Sequence, residues 1–336
     1  MSDFYDVENV TVLESLLKAQ AVLPRYLKIC VSVSGGSDSD IVLDIVEKLK
    51  GDAEVSYVWF NTGLEYQATK DHLTYLEQKY GVTIQRVKAI KPIPLCVYKY
   101  GVPFISKNVS EMIWRLQRWG FKWEDKPYEE LIKEYPNCRC AIEWWCNKHK
   151  MSMFKIGYNK YLKEFMIANP PDFKIAPKCC LYSKKKVAKN FMKQSDAGLN
   201  VYGVRRSEGG IRATSYKNCY SQKDIGTDEF RPIFYFKDED KKYYEEKFGI
   251  VHSDCYKKYG LVRTGCVGCP YGRNVLEELA IIEKHEPKLY RACMNIFGKS
   301  YDYTKKYREF CAAMKAEEKR DKDQYSIPDI YYNFTG

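Results

Sequence analysis

The chain has 336 residues and a mass of 39.4 kDa, enough for one large domain with appendages or for two domains. Hydrophobic residues make up 45% and charged residues 29%, which excludes a disordered chain, and no apolar run approaches the ~20 residues that span a bilayer. The net charge of +11 favours an anionic partner without choosing between nucleotide, sulfate and nucleic acid.

Residues 10–23 space Val12, Leu13, Leu16 and Leu17 as an amphipathic helix does, and Pro24 stops them. Residues 27–33 form a short β-branched run, predicted as a strand, that leads straight into Ser-Gly-Gly-Ser-Asp-Ser at 34–39. Residues 41–49 then read as a helix, 53–60 as a second strand ending at Asn61-Thr62-Gly63, 67–80 as a helix stopped by Gly81, and 82–87 as a third strand. This alternation with short connections predicts an α/β fold with a doubly wound parallel sheet. Residues 91–176, rich in aromatic residues, Pro and Cys, break the rhythm and read as a mostly helical insertion. A basic helix near Pro177, a strand at 199–204 and a short strand candidate at 232–236 follow. The domain reading is an N-terminal helix at 1–24, an α/β domain at 25–237 that carries the insertion, and a helical region at 238–336 interrupted by a loop at 254–272.

A strand, a Ser-Gly-Gly-Ser-Asp-Ser turn and a helix make a phosphate-binding arrangement. Glycine permits the tight turn, backbone N–H groups face the anion, and the helix presents its positive end to the same place. Ser34, Ser37 and Ser39 add hydroxyls. The spacing is neither a Walker A loop nor GxGxxG. In a doubly wound sheet the ligand sits at the C-terminal ends of the strands, where this loop lies.

The string resembles the PP-loop of the adenine nucleotide α-hydrolase superfamily. Further segments resemble its phosphoadenosine phosphosulfate (PAPS) reductase branch, over roughly residues 25–90 and 175–275. One is Asn61-Thr62-Gly63-Leu64-Glu65 with Thr69, where Asn61 replaces the branch's usual Asp; the other is Gly203 to Arg212, where Gly209 replaces its usual Ser. The resemblance implies that Asp38, Arg205 and Arg212 are catalytic. It also implies that Ser34, Gly35, Gly36, Ser37, Ser39, Asn61, Thr62, Gly63, Glu65, Gly203 and Glu208 bind the nucleotide and its phosphates. Arginine suits this work because its planar fork donates paired hydrogen bonds to sulfate and phosphate.

The chain holds 13 cysteines, too few for a disulfide scaffold. Its opening residues are acidic and polar, unlike a secretory signal, so a reducing cytoplasmic location is expected. Cys179-Cys180, followed by Cys266-x-x-Cys269, resembles the ligand pattern of 4Fe–4S adenylyl-sulfate reductases. Six lysines and no acidic residue at 178–193 favour thiolates there. Zinc on the same four thiols, Cys255 as a substitute ligand, and buried free thiols remain open. Cys138, Cys140, Cys146 and His149 form a weaker candidate zinc group in the insertion.

Reductases of this branch use a Glu-Cys-Gly-Leu-His cysteine near the C-terminus, and residues 329–336 hold none; Cys255 and Cys311 are the late alternatives. Three functions therefore stand. The first is an ATP pyrophosphatase that adenylates an acceptor for sulfur transfer, with Mg²⁺ on the phosphates, a sulfur donor or reductant protein, and nucleic acid as an acceptor that suits the positive charge. The second is a true sulfonucleotide reductase acting on adenylyl sulfate or PAPS. The third is a silent nucleotide-binding subunit. Trp114, Trp119, Trp123, Trp144 and Trp145 of the insertion either stack bases or form core.

Overall fold

The computed structural model describes residues 6–209 and 215–325. They fall into two compact units: Met1–Ile93, Cys180–Val267 and Ala280–Leu289 in the first, and Pro94–Cys179, Gly268–Leu279 and Tyr290–Gly336 in the second.

The first unit is built on a sheet of six strands: β1 (Lys28–Ser32), β2 (Glu54–Asn61), β3 (Ile84–Lys88), β4 (Leu199–Tyr202), β5 (Tyr220–Ser221) and β6 (Asp228–Phe230). Their order is β3-β2-β1-β4-β6-β5, parallel throughout except for the β5–β6 pair. β1 sits in the middle, and its Ile29, Cys30 and Val31 are all buried, as a parallel strand covered on both faces requires. From β1 the chain winds outward through β2 and β3, then returns to the other side of β1 at β4. The gap between β1 and β4 is therefore the switch point where doubly wound sheets bind ligands.

Helix α1 (Val10–Val22) starts at Asn9, whose Oδ1 accepts a hydrogen bond from Val12 N at 3.0 Å. It buries Val12, Leu16, Ala19 and Val22 and leaves Leu17 exposed, so the apolar stripe is one position narrower than the spacing predicts. Helix α2 (Ser37–Leu49) buries Ile41, Val42, Leu43, Ile45 and Val46, and α3 (Gln67–Tyr80) ends at Gly81 in the left-handed conformation. The predicted strand at 232–236 is a buried turn instead: Phe234 N bonds Arg231 O at 3.1 Å and Phe236 N bonds Ile233 O at 3.1 Å. Its apolar residues reflect burial rather than pleating, and Pro232 has no N–H to give a ladder. Helices α4 (Lys186–Gln194), α5 (Asp238–Lys247) and α6 (Asp254–Lys257) complete the labelled elements of this unit.

The second unit is mainly helical, with an aromatic core. Trp145 meets Phe121 at 5.2 Å and Trp123 at 5.9 Å between ring centroids, and Phe165 meets Tyr303 at 4.9 Å. Trp123, Trp144 and Trp145 are buried packing residues, while Trp119 is half-exposed. Among the described residues no helix is long and apolar enough to cross a membrane.

Candidate active site

The loop after β1 is held by its own hydroxyls. Ser39 Oγ donates to Gly36 O at 2.7 Å and accepts from Ser34 N at 3.2 Å, with Ser34 Oγ 3.1 Å away. Gly35 has φ +69°, and a Cβ there would lie 2.7 Å from Thr69 Cγ2. Only glycine fits both the left-handed backbone and the space. Gly36 takes the cap position of α2, so the helix opens without a side-chain cap.

Charged and hydroxyl groups from three other segments meet the first turn of α2. Arg205 Nε lies 3.2 Å from both carboxylate oxygens of Asp38, and its guanidinium also bonds Asp238 at 2.7 Å. Lys241 Nζ is 3.1 Å from Asp38 Oδ1 and 2.5 Å from Ser37 Oγ. Tyr256 OH accepts from Ser37 N at 3.0 Å and lies 3.1 Å from Thr264 Oγ1. Gly203 lets the chain leaving β4 pass this turn, since a Cβ there would stand 3.1 Å from the Asp38 carbonyl. Beneath it, buried Asp40 receives His72 Nε2 at 2.9 Å and His252 Nδ1 at 2.8 Å, and His252 Nε2 lies 2.8 Å from Glu245. Burial opposes the charged imidazole of His252, but Asp40 and Glu245 outweigh it and push its pKa up to about 9.

At the end of β2, Asn61 Oδ1 accepts from Gly63 N at 2.9 Å, which sets the turn. Buried Glu65 accepts from Thr62 N at 3.2 Å and from the Thr62 hydroxyl. Thr62 Oγ1 in turn lies 3.7 Å from Cys266 Sγ. Residues Leu181–Lys185 are π-helical, a rare geometry often found at functional sites. This segment carries Lys184, whose ammonium interacts with Cys266, Glu65 and Cys180. Burial works against its charge, yet those partners hold its pKa above the usual lysine value. Burial pushes the Cys266 thiol and the Glu65 carboxyl up, and Lys184 and Thr62 pull both back.

A family profile described as the phosphoadenosine phosphosulfate reductase domain matches residues 28–271. The chain belongs to the PAPS reductase family. An uncharacterized protein of Methanocaldococcus jannaschii is 23% identical over 271 residues, which cover 80% of this chain and 41% of that one, so the chain spans about two-fifths of that relative's length. Among solved structures, the PAPS reductase of Candida auris in its phosphate complex shares 15% identity at a TM-score of 0.39, covering 77% of this chain and 89% of that one. The U34-tRNA thiolase NcsA of Methanococcus maripaludis, solved with its 4Fe–4S cluster, shares 12% identity at a TM-score of 0.39, covering 90% and 80%.

In this PAPS reductase family chain, Ser34 to Ser39, Gly203 and Arg205 come together at the switch point, and Thr62 and Glu65 lie with Cys266 and Lys184. Glu208 lies 3.9 Å from Arg263, and Arg212 lies outside the described residues. Of the four predicted cluster ligands, Cys180 and Cys266 share Lys184. Cys179, buried, and Cys269, half-buried, belong to the second unit. Among the described residues no three His, Cys, Asp or Glu side chains are placed to hold a metal ion, the Cys138, Cys140, Cys146 and His149 group included. Cys180 and Cys266 beside the Lys184 ammonium match the donor chemistry of an anionic thiolate centre. Cys255 is buried against Thr69, at 3.7 Å from its Oγ1, and burial pushes its thiol up. The sequence reading missed Lys241, Tyr256, Thr264 and the Asp40–His252 pair, which reach the loop from more than 200 residues away. The one local signal was Asp40 itself, an acid on the apolar side of α2.

Proposed function

We propose that the chain binds ATP on the Ser34–Ser39 loop and transfers its adenylyl group to an acceptor, releasing pyrophosphate, as the activating half of a sulfur transfer. The observation that carries this reading is the set of groups at the first turn of α2: a helix N-terminus, the Ser37 hydroxyl, Asp38, and the two cations Arg205 and Lys241. An acceptor oxygen attacks the α-phosphorus, its proton passes to solvent, and the bond to the bridging oxygen breaks with its electron pair leaving on pyrophosphate. Negative charge grows on that leaving group, where Arg205, Lys241 and, from its motif, Arg212 act. Losing one such preorganised donor typically costs ~10²–10³ in rate. Mg²⁺ bound with ATP supplies further charge neutralisation, and Asp38, whose side chain is 19% exposed, is the carboxylate suited to hold it. Displacement of AMP by a sulfur nucleophile then completes the transfer, with sulfur from a donor protein. A nucleic-acid acceptor suits the +11 net charge.

A 4Fe–4S cluster, ahead of zinc, is proposed on Cys179, Cys180, Cys266 and Cys269, with Lys184 offsetting its negative charge. Such a group, when bound, supplies a site for sulfide or electrons. These thiols need reducing surroundings, which fits the cytoplasm.

The placement of Cys255 supports a second reading. Its thiol touches Thr69, the residue that packs on Gly35. In a sulfonucleotide reductase a thiolate attacks sulfur, the S–O bond to the nucleotide breaks, and a second thiol releases sulfite. Anaerobically purified protein incubated with ATP, with adenylyl sulfate and with PAPS separates the readings. Pyrophosphate release supports adenylation. Sulfite release that disappears in Cys255→Ser or Cys311→Ser supports reduction. Tight binding without turnover leaves a silent nucleotide-binding subunit.

A further inference from the structure

We propose that Lys241, Tyr256 and Thr264 form a second wall of the nucleotide site and take the phosphoryl oxygens of a polyphosphate; this rests on the nucleotide reading above. None of the three lies in the segments that carried the resemblance in the sequence, Ser34–Ser39, Asn61–Thr69, Gly203–Arg212 and the cysteine pairs. They converge on the start of α2: Lys241 and Tyr256 bond Ser37, its first residue, and Thr264 lies beside Tyr256 and Gly36. Tyr256 OH accepts the Ser37 N–H at 3.0 Å, which is the place a phosphoryl oxygen takes at a helix N-terminus. Thr264 Oγ1 stands 3.1 Å from that hydroxyl and 3.1 Å from the position of a Cβ on Gly36, so both hydroxyls face the glycine turn. Lys241 Nζ bonds Ser37 Oγ from the other side.

The ammonium has no carboxylate to itself. Its carboxylate partner Asp38 is shared with Arg205, and Glu245, at 3.8 Å, is shared with His252. An arriving phosphate therefore competes with two shared acids and the Ser37 hydroxyl. When it binds, the Ser37 N–H turns to the anion, and the Tyr256 and Thr264 hydroxyls turn their protons onto it. Lys241 supplies a compact point charge with three rotatable donors, which can serve any oxygen along a chain of phosphates. The wall thus selects the pyrophosphate part of ATP and leaves AMP indifferent.

Calorimetry with inorganic pyrophosphate, ATP and AMP on the full chain tests this. Lys241→Met is expected to weaken pyrophosphate and ATP at least tenfold, Tyr256→Phe several-fold, and neither to change AMP by more than twofold. Lys241→Arg should recover part of the affinity, which separates lost charge from lost folding. If Lys241→Met and Tyr256→Phe bind pyrophosphate and ATP as the parent does, while Arg205→Ala weakens both, the second wall is refuted and the nucleotide reading survives. If the parent protein binds neither ATP nor pyrophosphate, the nucleotide reading itself fails.

Discussion

Replacing His252 with glutamine removes a charge from beneath the phosphate loop, and the size of the effect follows from the pairing. Both ring nitrogens face carboxylate oxygens at 2.8 Å, Asp40 on one side and Glu245 on the other, so both must donate and the ring must carry its proton. Asp40 is fully buried and also receives His72; the Tyr256 ring lies 5.7 Å from His252, and Lys241 lies beyond Glu245 at 3.8 Å. A rise from the ordinary 6.5 to about 9 corresponds to at most ~3.5 kcal/mol, at about 1.4 kcal/mol per unit. Discounted for the water that still reaches the ring, this becomes ~2 kcal/mol. The folded-state pKa is the raised one. The contribution is therefore fully present below pH 6.5, shrinks as pH climbs above it, and is lost as pH passes about 9. Urea unfolding of the parent and His252→Gln chains from pH 6 to 9.5 should show a stability gap that narrows by ~2 kcal/mol. NMR titration of the four histidines, assigned with the variant, should place one near 9. A gap that is constant or widens with pH, or four titrations all near 6.5, would refute the assignment of a charged imidazole to this pair.

Gly35→Ala should destabilise the first unit by about 1–2 kcal/mol for its left-handed backbone alone, plus the cost of meeting Thr69, and should abolish ATP binding. Adding Thr69→Ser, which deletes the clashing methyl, should recover part of the stability, as read by urea unfolding. In Cys266→Ser, iron content and absorbance near 400 nm (about, for thiolate-to-iron charge transfer) should fall sharply; unchanged spectra would remove Cys266 from the ligand set. Trp145→Ala should cost about 3–5 kcal/mol by emptying a fully buried aromatic site of the second unit, while ATP affinity per folded molecule stays unchanged.

Local chemistry made the first half of the molecule readable. Ser-Gly-Gly-Ser-Asp-Ser sits between a β-branched run and a helix, and φ +69° at Gly35 and the left-handed Gly81 are what glycine at those places provides. Residues 232–236 misled because an apolar run reports burial, and burial alone does not choose between strand and turn. There the neighbouring Arg231, fully buried, bonds Tyr202, Glu229, Ser221 and Asn218 O, and that network fixes the bend. Lys241, Tyr256 and Thr264 had no local signal, since an exposed-looking lysine and a hydroxyl in a loop acquire meaning only when the chain returns to α2.

The sheet explains why motifs distant in sequence meet along one edge. Ser34–Ser39 follows β1, Thr62–Glu65 follows β2 and Gly203–Arg205 follows β4, and these three strands are parallel neighbours. Adjacent strands lie about 4.8 Å apart, so their C-terminal ends fall within ~10 Å across the sheet. The Ser34–Ser39 loop occupies the middle position, with the arginine of the β4 segment on one flank and, on the other, the Glu65 carboxylate of the β2 segment and the Cys266 thiol that lies against Thr62. A nucleotide seated on the loop therefore has cations beside its leaving group and Cys266 on the side of β2. On the proposed function, phosphoryl and sulfur chemistry would share this edge because parallel order, with its reversal at β1 and β4, leaves it the natural place for both.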